Sequence, residues 1–484
     1  MKFYDREEEQ ELLENIREAS LQESQMTVLF GRRRIGKTQL ALQCTAGNLT
    51  LYFFVARKAE TLLCQDFVEE AENKLGLPIG SYVSFAKLFR HLLIISRERP
   101  FNLIIDEFQD FQRTNPSIFS EIQREWDLNK GTSRMNLIVS GSIYSLMHQI
   151  FEDRKEPLFS RAGQMIHLKP FKVEVLKEIL ADHNPSYHPD DLLALYSFTG
   201  GVAWYVNLFM TNKAYTKDKM IGLLARPNSP FLNEGKNLLI EEFGPDYSIY
   251  FSILECIAGG DYTRGEFENR LGKAEIGGYL AKLEKYYSLI SKKRPIFSKE
   301  NSKQVRYCIA DNFLTFWFRF IYRYQGYIES GALKLVENII RRDYDVFSGS
   351  MLERYFRDKF MQSGLYTDIG MYWNRKGENE IDLITLNDLD KTAAIYEIKR
   401  DESRYSITKL EEKVTSLLEA EKELKKAPVK QIMFCSTGAN IVLVLLSCLP
   451  KNNPLFLYIL IKWKHFPHFF IFSSLISMIE KILS

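Results

Sequence analysis

The residues best placed by type and spacing to do chemistry are Gly31-Arg32-Arg33-Arg34-Ile35-Gly36-Lys37-Thr38. They fit G-x-x-x-x-G-K-[ST] without a mismatch, after an apolar run and before a helical stretch, Gln39 to Cys44. Glycines at both ends let backbone N–H groups turn inward on phosphate oxygens, and the following helix adds the positive end of its dipole. Lys37 would reach the β- and γ-phosphates, and the Thr38 hydroxyl would ligate Mg²⁺. Arg32, Arg33 and Arg34 line the loop, as phosphate contacts, as contacts to a neighbouring subunit, or as solvated arginines.

A second half of this site is Phe101-Asn102-Leu103-Ile104-Ile105-Asp106-Glu107. A buried strand would deliver Asp106 to the metal at the sheet's carboxyl edge. Glu107 would then polarise a water for attack on the γ-phosphate. Ser140 or Ser142 is a candidate γ-phosphate sensor acting through water. Arg161, in Pro157-Leu158-Phe159-Ser160-Arg161, is a candidate arginine finger, with Arg154 as its competitor.

A separate cluster lies near the other end. Glu380-Ile381-Asp382-Leu383-Ile384 is followed by Glu397-Ile398-Lys399. Both runs alternate, so they read as neighbouring strands with Glu397 and Lys399 on one face and Asp382 opposite. Two carboxylates and a lysine can hold one Mg²⁺ and orient a hydroxide. Glu353, on a preceding helical stretch, would add a carboxylate. A degenerate DNA-binding fold and a salt-bridged hairpin without chemistry are the competing readings.

The elements that must position these groups follow from periodicity. Met26–Phe30, Leu49–Val55, Phe101–Ile105, Asn136–Val139 and Met165–Leu168 are short apolar runs separated by helix-length connections, which predicts a parallel five-stranded sheet. Val173–Leu180, Asp190–Phe198 and Ala203–Met210 have helical spacing, broken by Gly200-Gly201, and suggest a helical lid. Ser248–Ala258, Arg264–Leu271 and Glu275–Tyr287, then two short runs around a basic turn, have the order of a winged helix-turn-helix. Lys273, Lys282, Lys285, Lys292, Lys293 and Arg294 cluster on its third helix and wing, as DNA-phosphate contacts or as the basic rim of a protein-docking module. An aromatic run, Phe313–Tyr324, opens a further α/β stretch, with Gly326–Gly331 as a linker.

The 484 residues predict roughly three domains. Hydrophobic residues at 45% and charged residues at 26% exclude a disordered chain, a collagen-like fibre and a disulfide mini-protein. With 64 Lys and Arg against 62 Asp and Glu, no global basic footprint exists, although local patches remain open. Six cysteines without a CxxC pair suggest neither zinc nor a disulfide framework, and fit reduced thiols in a cytoplasmic protein. The charged N-terminus lacks the apolar stretch of a signal peptide. From Leu424 to Ile479 there is no Asp or Glu, and the apolar pieces Ile441–Leu449 and Leu455–Ile461 are each shorter than the roughly 20 residues a bilayer span needs.

Residues 1 to about 242 resemble the archaeal-type P-loop ATPases of the AAA+/STAND group. The resemblance is carried by Phe3-Tyr4-Asp5-Arg6-Glu7, Gly31 to Thr38, Ile105-Asp106-Glu107-Phe108-Gln109, Ser140-Gly141-Ser142, Pro157 to Arg161 and Gly200-Gly201. It implies ATP and Mg²⁺ as ligands, a core strand order 5-1-4-3-2 and a helical lid. Ala203 stands where the family usually has proline. The remainder resembles the associated C-terminal domain of unknown function 234, usually preceded by a winged helix, most specifically over Tyr307-Cys308-Ile309-Ala310-Asp311-Asn312-Phe313-Leu314-Thr315-Phe316-Trp317-Phe318-Arg319-Phe320. The pattern of Asp382, Glu397 and Lys399 looks like the PD-(D/E)xK restriction-endonuclease fold.

The expected organisation is an α/β P-loop NTPase core over 1–170, a helical lid over 171–243, a winged helix over 244–311, a restriction-endonuclease-like domain over 312–437 and an atypical apolar tail over 438–484. The expected function is a Mg²⁺-dependent ATPase working as a nucleotide-driven switch, with DNA as target and a homo-oligomer as a further option. An ATP-gated DNA endonuclease and an ATP-holding, protein-docking module with negligible turnover are the alternatives.

Overall fold

The computed structural model describes residues 2–243, 247–273, 275–389, 392–404, 406–421, 429–435 and 441–444. Apart from 441–444, the apolar tail expected over 438–484 lies outside the described residues.

Five strands form the first sheet: β1 (Gln25–Phe30), β2 (Thr50–Phe54), β3 (Phe101–Asp106), β4 (Met135–Ser140) and β5 (Gln164–His167). Their order is β2-β3-β4-β1-β5, all parallel, which is the 5-1-4-3-2 arrangement read from its other edge. Alternation along the strands divides their side chains between two cores. Val28, Leu103, Ile105, Leu137 and Val139 join one. Leu29, Ile104 and Ile138 join the other, which runs on without a break through Phe198 and Phe209 to Trp317, Tyr344 and Tyr396. The sheet and the C-terminal half therefore share one apolar interior.

Five helices matter most for the sites: α1 (Lys37–Cys44), α2 (Pro189–Thr199), α3 (Ala203–Thr211), α4 (Phe231–Phe243) and the 31-residue α5 (Leu333–Ser363). Gly200 and Gly201, at φ 57° and 79°, turn α2 into α3. A Cβ on Gly201 would stand 2.4 Å from the Phe171 carbonyl oxygen, so the turn demands glycine for clearance as well as conformation.

Helices Tyr247–Gly259 and Arg264–Leu271 precede a third helical stretch, in which Gly277–Ala281 passes into wider π-type turns over Lys282–Tyr286. An antiparallel hairpin follows, β6 (Ile290–Lys293) with β7 (Arg306–Ile309). The linker expected over Gly326–Gly331 is instead a short helix, Gln325–Glu329, leading into α5. A glycine at each end marked its boundaries rather than a flexible tether. The second sheet, β12-β11-β10-β9-β8, comprises β8 (Asp368–Trp373), β9 (Glu380–Asn387), β10 (Thr392–Ile398), β11 (Val429–Cys435) and β12 (Ile441–Val444). Among the described residues, no helix is long and apolar enough to cross a membrane.

Candidate functional site

The loop after β1 is shaped by three residues in the left-handed region: Gly31 at φ 143°, Arg34 at 68° and Gly36 at 102°. Gly31 cannot carry a side chain, because a Cβ would lie 2.5 Å from the Leu168 carbonyl oxygen. Ile35 is fully buried and anchors the loop in the core. Arg34 is an uncommon residue for such a conformation. It is held by the Trp204 amide, which donates to its carbonyl at 3.2 Å, and by its guanidinium stacking 3.8 Å over the Trp204 ring. Lys37 is buried, and its Nζ donates to the carbonyls of Gly31 at 2.9 Å and Arg32 at 3.0 Å. Burial pulls its pKa down to about 8 against the charges of Glu107 and Asp106, and nearby Arg33 adds to the fall.

Asp106, the last residue of β3, is the hub of the site. Its Oδ2 accepts from Thr38 Oγ1 at 2.7 Å and Tyr52 OH at 2.9 Å. Its Oδ1 accepts from Ser140 Oγ and, at 3.0 Å, from the Glu107 amide. Burial and Asp106 together raise the Tyr52 pKa. A hydroxyl and a carboxylate in contact suit Mg²⁺, which takes few protein ligands and completes its shell with water and phosphate oxygens. Among the described residues no set of three or more His, Cys, Asp or Glu forms an all-protein cage. A bound cation here would lower the charge on phosphate oxygens, held by Thr38 and Asp106.

Glu107 takes a left-handed φ of 55°. Its Oε2 accepts from Ser142 Oγ and from Gln109 Nε2, both at 2.6 Å. The two serines thus divide: Ser140 serves Asp106, and Ser142 serves Glu107. Gly141 lies between them because a Cβ there would come within 2.4 Å of Gln109 Oε1 and 2.3 Å of Met147 Sδ. Tyr52 has no place among the sequence candidates, and Gln109 stands in a motif there without a role of its own. The alternation of β2, which buries Leu51 and Phe53 on the opposite face, is the signal that aims Tyr52 at its neighbour strand.

Arg161 is not brought to this loop in its own chain. Its Nη2 pairs with Asp127 Oδ2 at 3.1 Å, and two residues on Gly163 donates to the Met26 carbonyl, at the start of β1. That is the edge of the sheet opposite the phosphate loop. Arg154 is exposed.

The second cluster assembles where β9 meets β10. Lys399 Nζ lies 2.8 Å from Asp382 Oδ2 and 2.9 Å from Glu397 Oε1, and the Ile398 amide donates to Asp382 at 2.8 Å. Lys413, on the helix Ile407–Ala420, lies 3.1 Å from both Glu397 oxygens, a partner that sequence spacing did not suggest. Glu353 of α5 faces this group. Burial, then the charge of Asp382, raises its pKa to about 8. The β6–β7 hairpin leans on the same domain: Ile296 donates to the Met371 carbonyl at 2.9 Å, and Arg306 pairs with Glu380 while stacking 4.5 Å over Trp373. Lys292 pairs with Glu284. Burial, with Arg357 next, pulls Lys293 to a pKa of about 8.

These features define an ATPase fold carrying a C-terminal extension. Residues 3–209 match the family described as an ATPase domain predominantly from Archaea, and residues 317–416 match the family described as archaeal and bacterial proteins of unknown function. The chain is 30% identical over 406 residues to the uncharacterized protein MJECL04 of Methanocaldococcus jannaschii, covering 82% of this chain and 87% of that one. It belongs to this family of archaeal-type ATPases with the C-terminal domain of unknown function 234. The Walker-type ATPase PABY2304 of Pyrococcus abyssi shares the fold, with a TM-score of 0.50 at 20% identity, over 66% of this chain and 96% of that one. The Aeropyrum pernix ORC2 protein, in ADPNP and ADP complexes, aligns at a TM-score of 0.47 and 18% identity, over 71% and 95% of the two chains.

Proposed function

We propose that the chain hydrolyses ATP with Mg²⁺ and uses the cycle as a switch on its C-terminal half. The observation that carries this is the hub at Asp106, where the loop's Thr38, the strand-end carboxylate and Ser140 converge beside a clamped Glu107. In this reading the loop amides and Lys37 bind the triphosphate. Thr38 and Asp106 hold the cation, Ser140 orients Asp106, and Glu107 takes a proton from water. Arg161, at the far edge of the sheet, would act as a finger only toward the loop of a neighbouring copy, if the chain forms a homo-oligomer. Steady ATP turnover by the purified chain, lost in Lys37→Ala and Glu107→Gln while Glu107→Gln still binds nucleotide, is the expected result. Turnover unchanged by either substitution would remove the reading.

We read residues 1–170 as the ATPase core, 171–243 as its lid, 244–311 as a winged helix and 312–437 as a restriction-endonuclease-like domain. DNA is the target that the basic residues favour, through Lys273, Lys282 and Lys285 more than through the wing, whose Lys293 is turned toward α5. The contact of Lys399 with both Asp382 and Glu397 favours a second reading, an ATP-gated DNA endonuclease. Mg²⁺-dependent cutting of DNA, abolished by Asp382→Ala or Lys399→Ala, would establish it. Absence of cutting with and without ATP would leave the switch without a nuclease.

A further inference from the structure

Two of the three loop arginines pair with acids beyond residue 209. Arg32 Nη1 forms an ion pair with Asp311, and Arg34 Nε lies 2.5 Å from Glu234 Oε1 on α4. Both acids fall after residue 209, where the ATPase-domain match ends. Asp311 opens the C-terminal stretch and accepts from the Leu314 amide at 2.6 Å, capping the helix Asn312–Phe316. Glu234 is buried and also accepts from Tyr205 OH at 3.2 Å.

Arg32 is not saturated by this arrangement. A guanidinium offers five donors in a fixed fork. Among the described residues, Arg32 Nη2 is buried without a hydrogen-bond partner. Buried donors are rarely left unbonded. An orphan on the residue that follows Gly31, inside a loop built for phosphates, points to an anion as the missing acceptor. A phosphate presents more charge and more acceptor oxygens than a carboxylate, and it takes arginine bidentately.

We infer that Asp311 and Glu234 are positioning residues of the nucleotide site, holding Arg32 and Arg34 until phosphate oxygens compete them away and free the segment that Asp311 begins. The inference rests on reading residues 31–38 as the phosphate loop. It adds that, before nucleotide binds, two arginines of the loop are held by acids beyond residue 209, Glu234 in the proposed lid and Asp311 past it. Nucleotide occupancy is then read by the C-terminal half as the loss of an ion pair.

The test is a binding cycle on the full chain. Asp311→Asn keeps the helix cap, since asparagine caps about as well as aspartate, and removes only the charge. Calorimetry with MgATP should show binding tightened roughly tenfold in Asp311→Asn, and no gain from the same change in an Arg32→Gln background. Hydrogen exchange of amides 312–321 should rise with MgATP in the wild-type chain and be raised without it in Asp311→Asn. Glu234→Gln against Arg34→Gln repeats the cycle at the second pair, so a misfolded Asp311 variant leaves the competition measurable. Wild-type binding with an affinity that Asp311→Asn leaves unchanged, or a gain that persists without Arg32, would overturn the inference alone. No wild-type binding would remove the phosphate-loop reading and the inference together.

Discussion

Arg400 and Asp190 meet 210 residues apart in sequence, the guanidinium Nη1 lying 2.8 Å from the carboxylate Oδ1. Asp190 lies in the first turn of α2, while Arg400 follows Lys399 directly, so this contact joins α2 to the C-terminal carboxylate cluster. The pair is reinforced from both sides. Lys217 reaches Asp190 Oδ2 at 2.8 Å, Ser348 of α5 lies 2.7 Å from the guanidinium, and Tyr344 lies under it at 5.1 Å. Helix α5 runs along the whole junction. Its Asp358 accepts from Tyr196 OH at 2.5 Å and its Gln362 from the Val173 amide at 3.0 Å, while Glu353 faces Asp382 and Lys399. In the proposed cycle, a shift of α2 would displace the same helix that forms one wall of the second cluster.

Breaking this pair should therefore cost stability and communication together. Arg400→Ala leaves Asp190 buried with Lys217 as its remaining ion-pair partner and the Tyr344 hydroxyl at 3.4 Å, and the expected loss is about 2–3 kcal/mol in urea unfolding. The pair also sets a pH dependence. Burial would raise the Asp190 pKa, but the hydrogen bonds and charges of Arg400 and Lys217 prevail and hold it below the ordinary carboxylate range. A lowered folded pKa contributes stability that is present above the unfolded value and is lost as pH falls through the folded one. Arg400→Ala should thus flatten the acid limb of a stability–pH profile. An unaltered acid limb would mean the pair is not coupled to folding.

Lys37 gives a prediction in the alkaline range. Burial holds its pKa near 8 in the ligand-free chain, so a large share of it is neutral at slightly alkaline pH. Phosphate charge favours the ammonium form, and binding must then take up protons. Calorimetry of MgATP binding in buffers of different ionisation enthalpy, at about pH 8.5, should show net proton uptake that vanishes in Lys37→Arg. Affinity should weaken as pH rises further through and above 8. Equal proton uptake in the arginine variant would assign the titration to another group.

What the sequence displayed and what it hid divide along a physical line. The loop from Gly31 to Thr38 was legible because its function needs consecutive backbone groups, and contiguity survives in sequence. Asp106 was legible because a largely apolar strand ended on it. The parts played by Tyr52, Lys413 and Asp311 were not, since each acts on a residue brought near by folding rather than by spacing. Tyr52 reaches Asp106 across 54 residues, and its strand offered only alternation as a hint. Arg161 shows the converse: its type suggested phosphate chemistry, yet Asp127 claims it at the other edge of the sheet. The sheet itself followed from the five apolar runs, but the continuous core from Leu29 to Tyr396 is a property of packing that periodicity does not carry.

The clamp on Glu107 can be loosened at either side. Ser142→Ala removes one of two donors at 2.6 Å and leaves Gln109 to hold the carboxylate alone. A general base that loses its alignment lowers the rate of the chemical step more than substrate affinity. The expected result is kcat reduced about tenfold with KM little changed. Gly141→Ala should be harsher, because its Cβ would collide with Gln109 Oε1 and with Met147 Sδ in the core. Loss of about 2 kcal/mol in stability should accompany its loss of turnover. A Gly141→Ala chain as stable and active as wild type would show that the glycine has no clearance role.

Glu353 supplies the last prediction, since its environment opposes ionisation. Burial comes first and the neighbouring charge of Asp382 second, and together they raise its pKa to about 8 despite Lys399 and Lys293. A carboxyl whose folded pKa exceeds its unfolded one contributes stability in its neutral form. That contribution is complete below the unfolded value and is lost as pH rises through the folded one. The wild-type chain should therefore lose stability as pH rises from about 4.5 to about 8, the interval in which the unfolded chain ionises Glu353 and the folded chain does not. Glu353→Gln keeps the shape and cannot ionise, so its urea midpoint should hold across the same interval. If both chains fall equally, the loss belongs to other groups, and not to Lys37 or Lys293, whose lowered pKa values make stability rise with pH above about 8. If the wild-type chain does not fall at all, Glu353 is already ionised at neutral pH and the cluster carries its third carboxylate charge in the resting state.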